Sequence, residues 1–209
     1  VLPSASQIEV NVKANITFAN ALRNILRQDP DVICVGEIRD GETADMALQA
    51  SQTGHLVLAT LHSSSNLAAL VRLMDLGVRP LLLASGLDVI ISQRLVRKLC
   101  EHCKRPARLT ETQIANFQRK QIDYRTIMEA NGCKKCRGTG FIGRTAIMDV
   151  MRLDEDVKAN LANERLSLGS MKQKGDEESR STLRKEGLRK VLAGITTLEE
   201  VQRVTSKLG

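Results

Sequence analysis

The chain has 209 residues, 42% of them hydrophobic, enough to bury the core of one domain plus a small satellite. No apolar run approaches the roughly 18 to 20 residues that span a bilayer, and no basic stretch followed by a short apolar one opens the chain, so it reads as soluble. A net charge of +7 would attract phosphates, but Phe18, Phe117, Tyr124 and Phe141 are too few and scattered to stack bases, and nucleic acid is not expected as a partner.

The chain opens on a strand-like QIEVNV at 7–12. Thr17 is a good N-cap for a helix running to about Gln28, with Phe18, Leu22, Ile25 and Leu26 on one face and Arg23 and Arg27 on the other. Asp29-Pro30 ends it. Val32 to Val35 then form a short apolar run rich in β-branched residues, and Leu56 to Ala59 a second. Continuous apolar runs of this length, buried on both faces, belong to parallel α/β sheets. Between them Gly41–Gln52 reads as a helix, with Glu42 and Asp45 early, as the helix dipole favours. Polar side chains at the carboxyl ends of such strands sit where these sheets bind ligands, so Glu37, Arg39, Asp40, Thr60 and His62 are expected on one rim.

Further on, 66–76 is amphipathic and stops at Gly77. The spacing of Leu83, Leu87, Ile90, Ile91 and Leu95 predicts one long helix from Pro80 through Leu99. A basic insertion bracketed by cysteines follows at 100–136, with a helix at Glu111–Arg119. Residues 138–151 return as a turn and a strand. The rest, 154–209, reads as short helices with a charged linker near 172–181.

The strongest purely chemical signal is the pair of knuckles Cys100-x2-Cys103 and Cys133-x2-Cys136. Four thiolates so arranged can close a tetrahedral zinc site, and the surrounding Lys98, Lys104, Arg105, Lys134, Lys135 and Arg137 would offset its net negative charge. Disulfides and free thiols are the bland alternatives, and a chain without a secretion signal argues against disulfides. His102 is a bystander in this reading and Cys34 a small strand residue. CKKCRGTG at 133–140 also fits the knuckle of DnaJ-type chaperones, but CEHCKRPA at 100–107 lacks the glycines of that repeat.

Several of these motifs resemble one family. GEIRD after an apolar strand, at 36–40, is similar to the atypical Walker B motif of the secretion ATPases that drive type II secretion and type IV pilus assembly. TGHLVLATLH at 53–62 resembles that family's His box, LRNILRQDPD at 22–31 the segment before Walker B, and GLRKVLAGITTLEEV at 187–201 its C-terminal helices. The resemblance covers nearly the whole chain. It implies the C-terminal portion of a RecA-like P-loop NTPase, an α/β fold with a three-layer, parallel-sheet core, a small tetracysteine zinc subdomain and a helical C-terminus. The corresponding division is 1–99 (partial ATPase core), 100–137 (zinc subdomain) and 138–209 (C-terminal strand and helices).

The same resemblance implies ATP, Mg2+ and Zn2+ as cofactors, with Cys100, Cys103, Cys133 and Cys136 holding structural zinc. Glu37 would hold the shell of the magnesium ion and orient the attacking water; by itself it could equally be a solvated strand-end carboxylate. His55 and His62 bracket the second strand at an odd separation and would face opposite ways in a regular strand. His62, at the carboxyl end, is expected to sense the γ-phosphate, while His55 is either its partner in nucleotide contact or structural. Arg23 and Arg27 alone read as solvated charges; the family implies arginine fingers reaching a neighbouring subunit's nucleotide. Thr60, Arg94 and Arg97 are weaker candidates for nucleotide or subunit contacts, and Arg39 and Asp40 are expected in a local ion pair or subunit contact.

No G-x-x-x-x-G-K-[ST] run is present. In the family that loop and an acidic box lie upstream of the position matching Val1, so the sequence reads as a fragment, and a degenerate relative is the lesser alternative. The polypeptide alone is accordingly expected not to hydrolyse ATP. In full length the expectation is a hexameric motor, cytoplasmic and peripheral at the inner membrane, working with the inner-membrane platform and cytoplasmic-domain proteins of the machinery. The competing reading is a non-hydrolysing, zinc-stabilised module docking on an inner-membrane partner. The cysteine element disfavours the pilus retraction motors, which usually lack it.

Overall fold

In a computed structural model, residues 5–14, 16–162 and 168–206 are described. They pack as two compact units, one of Val1–Ile90 with Met151–Gln173 and one of Ile91–Val150 with Lys174–Gly209. These units follow contacts and the sequence-based division follows motifs; the two sets of boundaries do not coincide.

The first unit is built around a parallel strand pair. Helix α1 (Phe18–Ile25) starts where expected, because the Thr17 hydroxyl accepts the Asn20 amide at 3.1 Å. It tightens into a single 3-10 turn at Leu26–Gln28 and stops at Asp29, whose φ of 51° is left-handed. Strand β1 (Val32–Val35) runs parallel to β2 (Leu56–Ala59), with Val32 opposite Leu56 and Val35 opposite Ala59. Helix α2 (Gly41–Gln52) makes the crossover and is capped by the Asp40 carboxylate, which accepts the Thr43 amide at 2.8 Å. Gly41 is required there: a Cβ would lie 2.3 Å from the Leu76 carbonyl oxygen. Leu22, Ile33, Val35, Ala44, Leu48 and Leu83 form the core, joined by Phe18 and Val57. Helices α3 (Asn66–Asp75), α4 (Pro80–Gly86) and α6 (Glu155–Ala162) complete the unit, with Leu70, Ala84, Leu153 and Leu161 as a second cluster.

Three expectations up to Leu99 are corrected. Residues 7–12 form no strand; Asn11 only bridges Ile16 around a 3-10 turn at Val12–Ala14. The β1–β2 pair is not buried on both faces, since Val32, Leu56 and Leu58 are 54%, 57% and 52% exposed. Among the described residues, the face carrying Ile33, Val35 and Val57 is the one packed by helices. The helix expected over 80–99 ends at Gly86, and β3 (Val89–Leu99) replaces the rest. Val89, Ile90 and Ile91 are β-branched, and exposure alternates along 89–96, with Ile90, Ser92, Arg94 and Val96 less exposed than Val89, Ile91, Gln93 and Leu95, which is the strand period.

In the second unit β3 pairs with β6 (Phe141–Arg152), and β4 (Arg105–Pro106) pairs antiparallel with β5 (Met128–Glu129). Helix α5 (Glu111–Arg119) carries a complete capping box between Thr110 and Gln113. The expected linker near 172–181 is instead part of a continuous helix, α7 (Leu168–Leu192). Lys, Arg, Glu and Leu favour helix strongly enough to carry the interior glycines Gly175 and Gly187 at a cost of about 1 kcal/mol each. Within the stretch 154–209, expected as short helices, residues 163–167 and 207–209 lie outside the described residues. Helix α8 (Leu198–Ser206) packs closely on α7, where a Cβ on Gly187 would meet Val201 at 2.4 Å. Val96, Ile127, Ile147, Leu183, Val191 and Val201 are one cluster, so the insertion and the C-terminal helices share a core. No helix among the described residues is long and apolar enough to cross a membrane.

Candidate functional site

The rim forms where β1 and β2 end side by side. Beyond the strands the pairing continues, as Ile38 N donates to Thr60 O at 2.9 Å and the Thr60 hydroxyl donates to the Gly36 carbonyl. That tie fixes Glu37 against the segment leading to His62. The His62 Nε2 lies 3.1 Å from Glu37 Oε1, and the Arg39 guanidinium reaches Glu37 Oε2 at 2.6 Å. Glu37 is largely enclosed at 20% exposure, whereas the His62 ring is 92% exposed, so the carboxylate is the fixed member of the triad.

The structure thus brings together Glu37, Arg39, Thr60 and His62. Asp40 stands at the same place but caps α2 rather than pairing with Arg39. His55 is elsewhere, before the amino end of β2, with Nδ1 at 3.0 Å from both Thr53 Oγ1 and the Ala50 carbonyl, where it closes the end of α2. Arg23 donates to Asn20 Oδ1 at 2.8 Å and to Glu42 at 3.3 Å; Arg27 is exposed on the turn that follows. Arg94 and Arg97 lie on a strand, not on the helix expected before Cys100.

Arg97 is held by a residue that local sequence patterns did not single out. Glu200, on α8, is fully buried and accepts Arg97 Nε and Nη2 at 3.0 and 2.8 Å, and Arg203 Nε and Nη2 at 2.9 and 2.7 Å. The Arg203 and Arg97 guanidinium groups outweigh the cost of burial and hold its carboxyl at about 2, below the usual range. Arg97 also stacks over the Phe141 ring at 4.1 Å. The i, i+3 spacing of Glu200 and Arg203 was readable; the partner across the unit was not.

The four cysteines of the knuckles converge in the same unit, their sulfurs all within 4.8 Å of one another. Cys100 to Cys133 is 3.9 Å, Cys103 to Cys136 3.8 Å, and Cys133 to Cys136 3.7 Å. A tetrahedron with zinc–sulfur bonds of about 2.3 Å has edges of about 3.8 Å, so the donor set fits zinc. The left-handed residues that shape the second knuckle are Arg137, Gly138 and Gly140. The amides of Cys133 and Gly140 donate to Cys136 Sγ at 3.1 and 3.2 Å. Burial pushes the Cys136 thiol up, but these amides outweigh it and hold it at about 6. Cys103 is pushed up to about 12, first by burial and then by the neighbouring sulfurs. Four thiolates so crowded need a cation to ionise together. His102 turns to Lys135, 3.2 Å away, rather than to the sulfurs.

A family model for the type II/IV secretion system protein matches residues 1–203. The chain is 48% identical over 206 residues to type II secretion system protein E of Dickeya dadantii, covering 99% of this chain and 41% of that protein. It is 44% identical over 204 residues to the type II secretion system ATPase E of Vibrio cholerae, covering 96% of this chain and 40% of that protein. With the type IV pilus assembly ATPase PilB of Thermus thermophilus it shares 43% identity over 203 residues, 96% of this chain and 23% of that one. The chain therefore spans about two fifths of the length of the type II secretion relatives. Among solved structures, the pilus retraction motor PilT with bound ADP superposes with a TM-score of 0.56 at 25% identity, over 90% of this chain and 43% of that one. The ATPase DotB of Legionella pneumophila gives 0.58 at 22% identity, over 93% of this chain and 44% of that one, a likeness of fold. The fold is the RecA-like α/β fold expected from sequence, and the chain belongs to the type II/IV secretion system protein family.

Proposed function

We propose that this chain is the C-terminal portion of an ATPase motor that couples ATP hydrolysis to type II secretion or type IV pilus assembly. The observation that carries the reading is the contact of Glu37 with His62 at the carboxyl ends of two adjacent parallel strands. It supports catalysis because a fixed carboxylate at this rim can accept a hydrogen bond from the attacking water and orient it in line with the γ-phosphoryl group. Mg2+, when bound with ATP, neutralises the phosphate oxygens, and Glu37 is the residue of this chain suited to its outer shell. His62, exposed and 3.1 Å from that carboxylate, is suited to sense the γ-phosphate and report its loss to Glu37.

In this reading Arg23 and Arg27 act as fingers on the nucleotide of a neighbouring subunit, which requires a ring, taken as a hexamer. Such an arginine is typically worth about 10^3 to 10^5 in rate. Thr60 fixes the rim, and His55, Arg94 and Arg97 support it or the subunit contacts. The core 1–99, the zinc subdomain 100–137 and the C-terminal part 138–209 serve as catalytic, metal-stabilised and closing segments. Zinc at the four cysteines is structural. The motor works in the cytoplasm, held at the inner membrane by the platform and cytoplasmic-domain proteins of the machinery.

The test is secretion or piliation, with ATP hydrolysis, by the full-length protein in cells lacking their own copy. Restored assembly with ATP turnover supports the motor. Restored assembly by a protein that never hydrolyses ATP would instead establish a zinc-stabilised docking module.

A further inference from the structure

The C-terminal segment runs against β3 immediately before the first zinc-ligand cysteine. Leu99 N donates to Ile195 O at 2.8 Å, the Thr196 hydroxyl donates to Arg97 O at 2.8 Å, and Arg97 N donates to Glu200 Oε1 at 3.0 Å. The next residue is Cys100, fully buried, whose amide donates to Gly140 O at 2.9 Å. On the far side of the same knuckle, Lys104 Nζ donates to Gly194 O at 3.3 Å. The backbone entering the knuckle and a side chain leaving it are thus both held by residues 194–200. Glu200 anchors this segment, its buried carboxylate taking two guanidinium groups and one amide. Of its partners, Arg97 lies on the strand that delivers Cys100, and Arg203 lies one turn further along α8.

We infer that residues 194–203, with Glu200 as the positioning residue, form a brace for the zinc centre, so that zinc binding and the docking of α8 stabilise one another. The inference rests on the zinc reading of the four cysteines. A tetrahedral site gains affinity when its ligands are held in place before the ion arrives, and contacts that orient ligands are commonly worth about 10-fold to 100-fold in metal affinity. Reciprocity then requires that zinc favour the docked state of α8 by the same factor. Because the insertion and α8 also share Val96, Ile127 and Val201 in one core, the two segments have a path for that coupling in packing as well as in hydrogen bonds. The consequence is a C-terminal helix whose order reports the metal state of a centre built from a different part of the chain.

Hydrogen–deuterium exchange on the full-length protein, before and after zinc is stripped by a chelator, tests this. The brace predicts that amides of Leu198–Ser206 lose protection together with those of the knuckles, while amides of Val32–Val35 keep theirs. Competition with a chromophoric zinc chelator should show binding to Glu200→Gln weakened about 10-fold, and to Thr196→Val by less. Should Glu200→Gln fail to fold, the exchange experiment on the unaltered protein decides alone. Protein purified without chelators that holds no zinc would overturn both the metal reading and the brace. Protein that holds zinc, but whose α8 amides exchange at the same rate with and without it, would overturn the brace only.

Discussion

Glu37 and His62 meet at 3.1 Å although they belong to different strands, because the Thr60 hydroxyl and the Ile38 amide stitch the two strand exits together. The carboxylate is consequently engaged on both oxygens, Oε1 by His62 and Oε2 by Arg39. One enclosed acid flanked by two exposed side chains, an arginine and a histidine, is an arrangement that can exchange a side-chain partner for water or a phosphate-bound ion without rebuilding the backbone.

Removing one zinc ligand should separate the two units in their response. Cys133→Ser should lose the metal by elemental analysis and open the segment 100–137 to protease, because a small loop-rich element depends on its metal for folding. The core around Ile33, Val35 and Leu48 shares no residue with that cluster and should remain protected. Simultaneous digestion of both segments would show that the metal supports more than the knuckles.

The stability of the second unit should depend on acid through Glu200. Its folded pKa is about 2, below the ordinary carboxyl value, so the stabilisation is complete above the unfolded pKa and is lost as pH falls toward about 2. The shift corresponds to a contribution on the order of 3 kcal/mol at neutral pH. Denaturant unfolding of the unaltered protein should therefore weaken between about pH 4.5 and pH 2, and Glu200→Gln should flatten that slope while starting from lower stability. An unchanged slope in the variant would assign the acid sensitivity to other carboxylates.

Helix packing makes a sharper claim at Gly187. A Cβ there would stand 2.4 and 2.9 Å from the two γ-carbons of Val201. Gly187→Ala should raise helix propensity by about 1 kcal/mol yet destabilise the protein overall, since overpacking of a buried contact costs about 1 to 3 kcal/mol. Shortening the neighbour with Val201→Ala in the same chain should recover part of the loss, which melting temperatures of the two single variants and the pair would measure. A Gly187→Ala variant more stable than its parent would mean that α7 and α8 sit further apart.

How much of this was legible depended on the range of the interaction. Helices at Gly41–Gln52 and near Glu111–Arg119 were readable because what bounds them is local, and the structure shows their caps in Asp40 and the Thr110–Gln113 box. The strand-end rim followed from two apolar runs and the rule that parallel sheets bind ligands at their carboxyl ends, and the four cysteines from spacing alone. The segment 87–99 was misread because Leu87, Ile91 and Leu95 satisfy a helical period, and a spacing of four, being even, fits one face of a strand equally well. Only pairing with β6, remote in sequence, decides between them. Glu200 was invisible for the same reason: its nearest local sign, Arg203 three residues on, reads as an ordinary surface pair until Arg97 arrives from the far side of the unit.

The decisive substitution is Glu37→Gln in the full-length protein. Glutamine keeps the shape of the side chain, can still accept from Arg39 through its carbonyl oxygen, and loses the negative charge that orients water and favours Mg2+. Binding of ATP draws on groups outside this rim, so nucleotide affinity should stay within a few-fold. Turnover should fall by about a hundredfold or more, equivalent to about 2.7 kcal/mol of barrier lowering. A solvated carboxylate at a strand end would show little change in either quantity, and the contact with His62 makes a second difference. His62→Gln should lower turnover less than Glu37→Gln, and the double variant should resemble Glu37→Gln alone, since groups acting as one unit are not additive. Steady-state hydrolysis and equilibrium binding of a fluorescent nucleotide on the three variants provide the measurement. Parent-like turnover by Glu37→Gln would take the residue out of the chemistry, and losses that simply add would mean that Glu37 and His62 act separately.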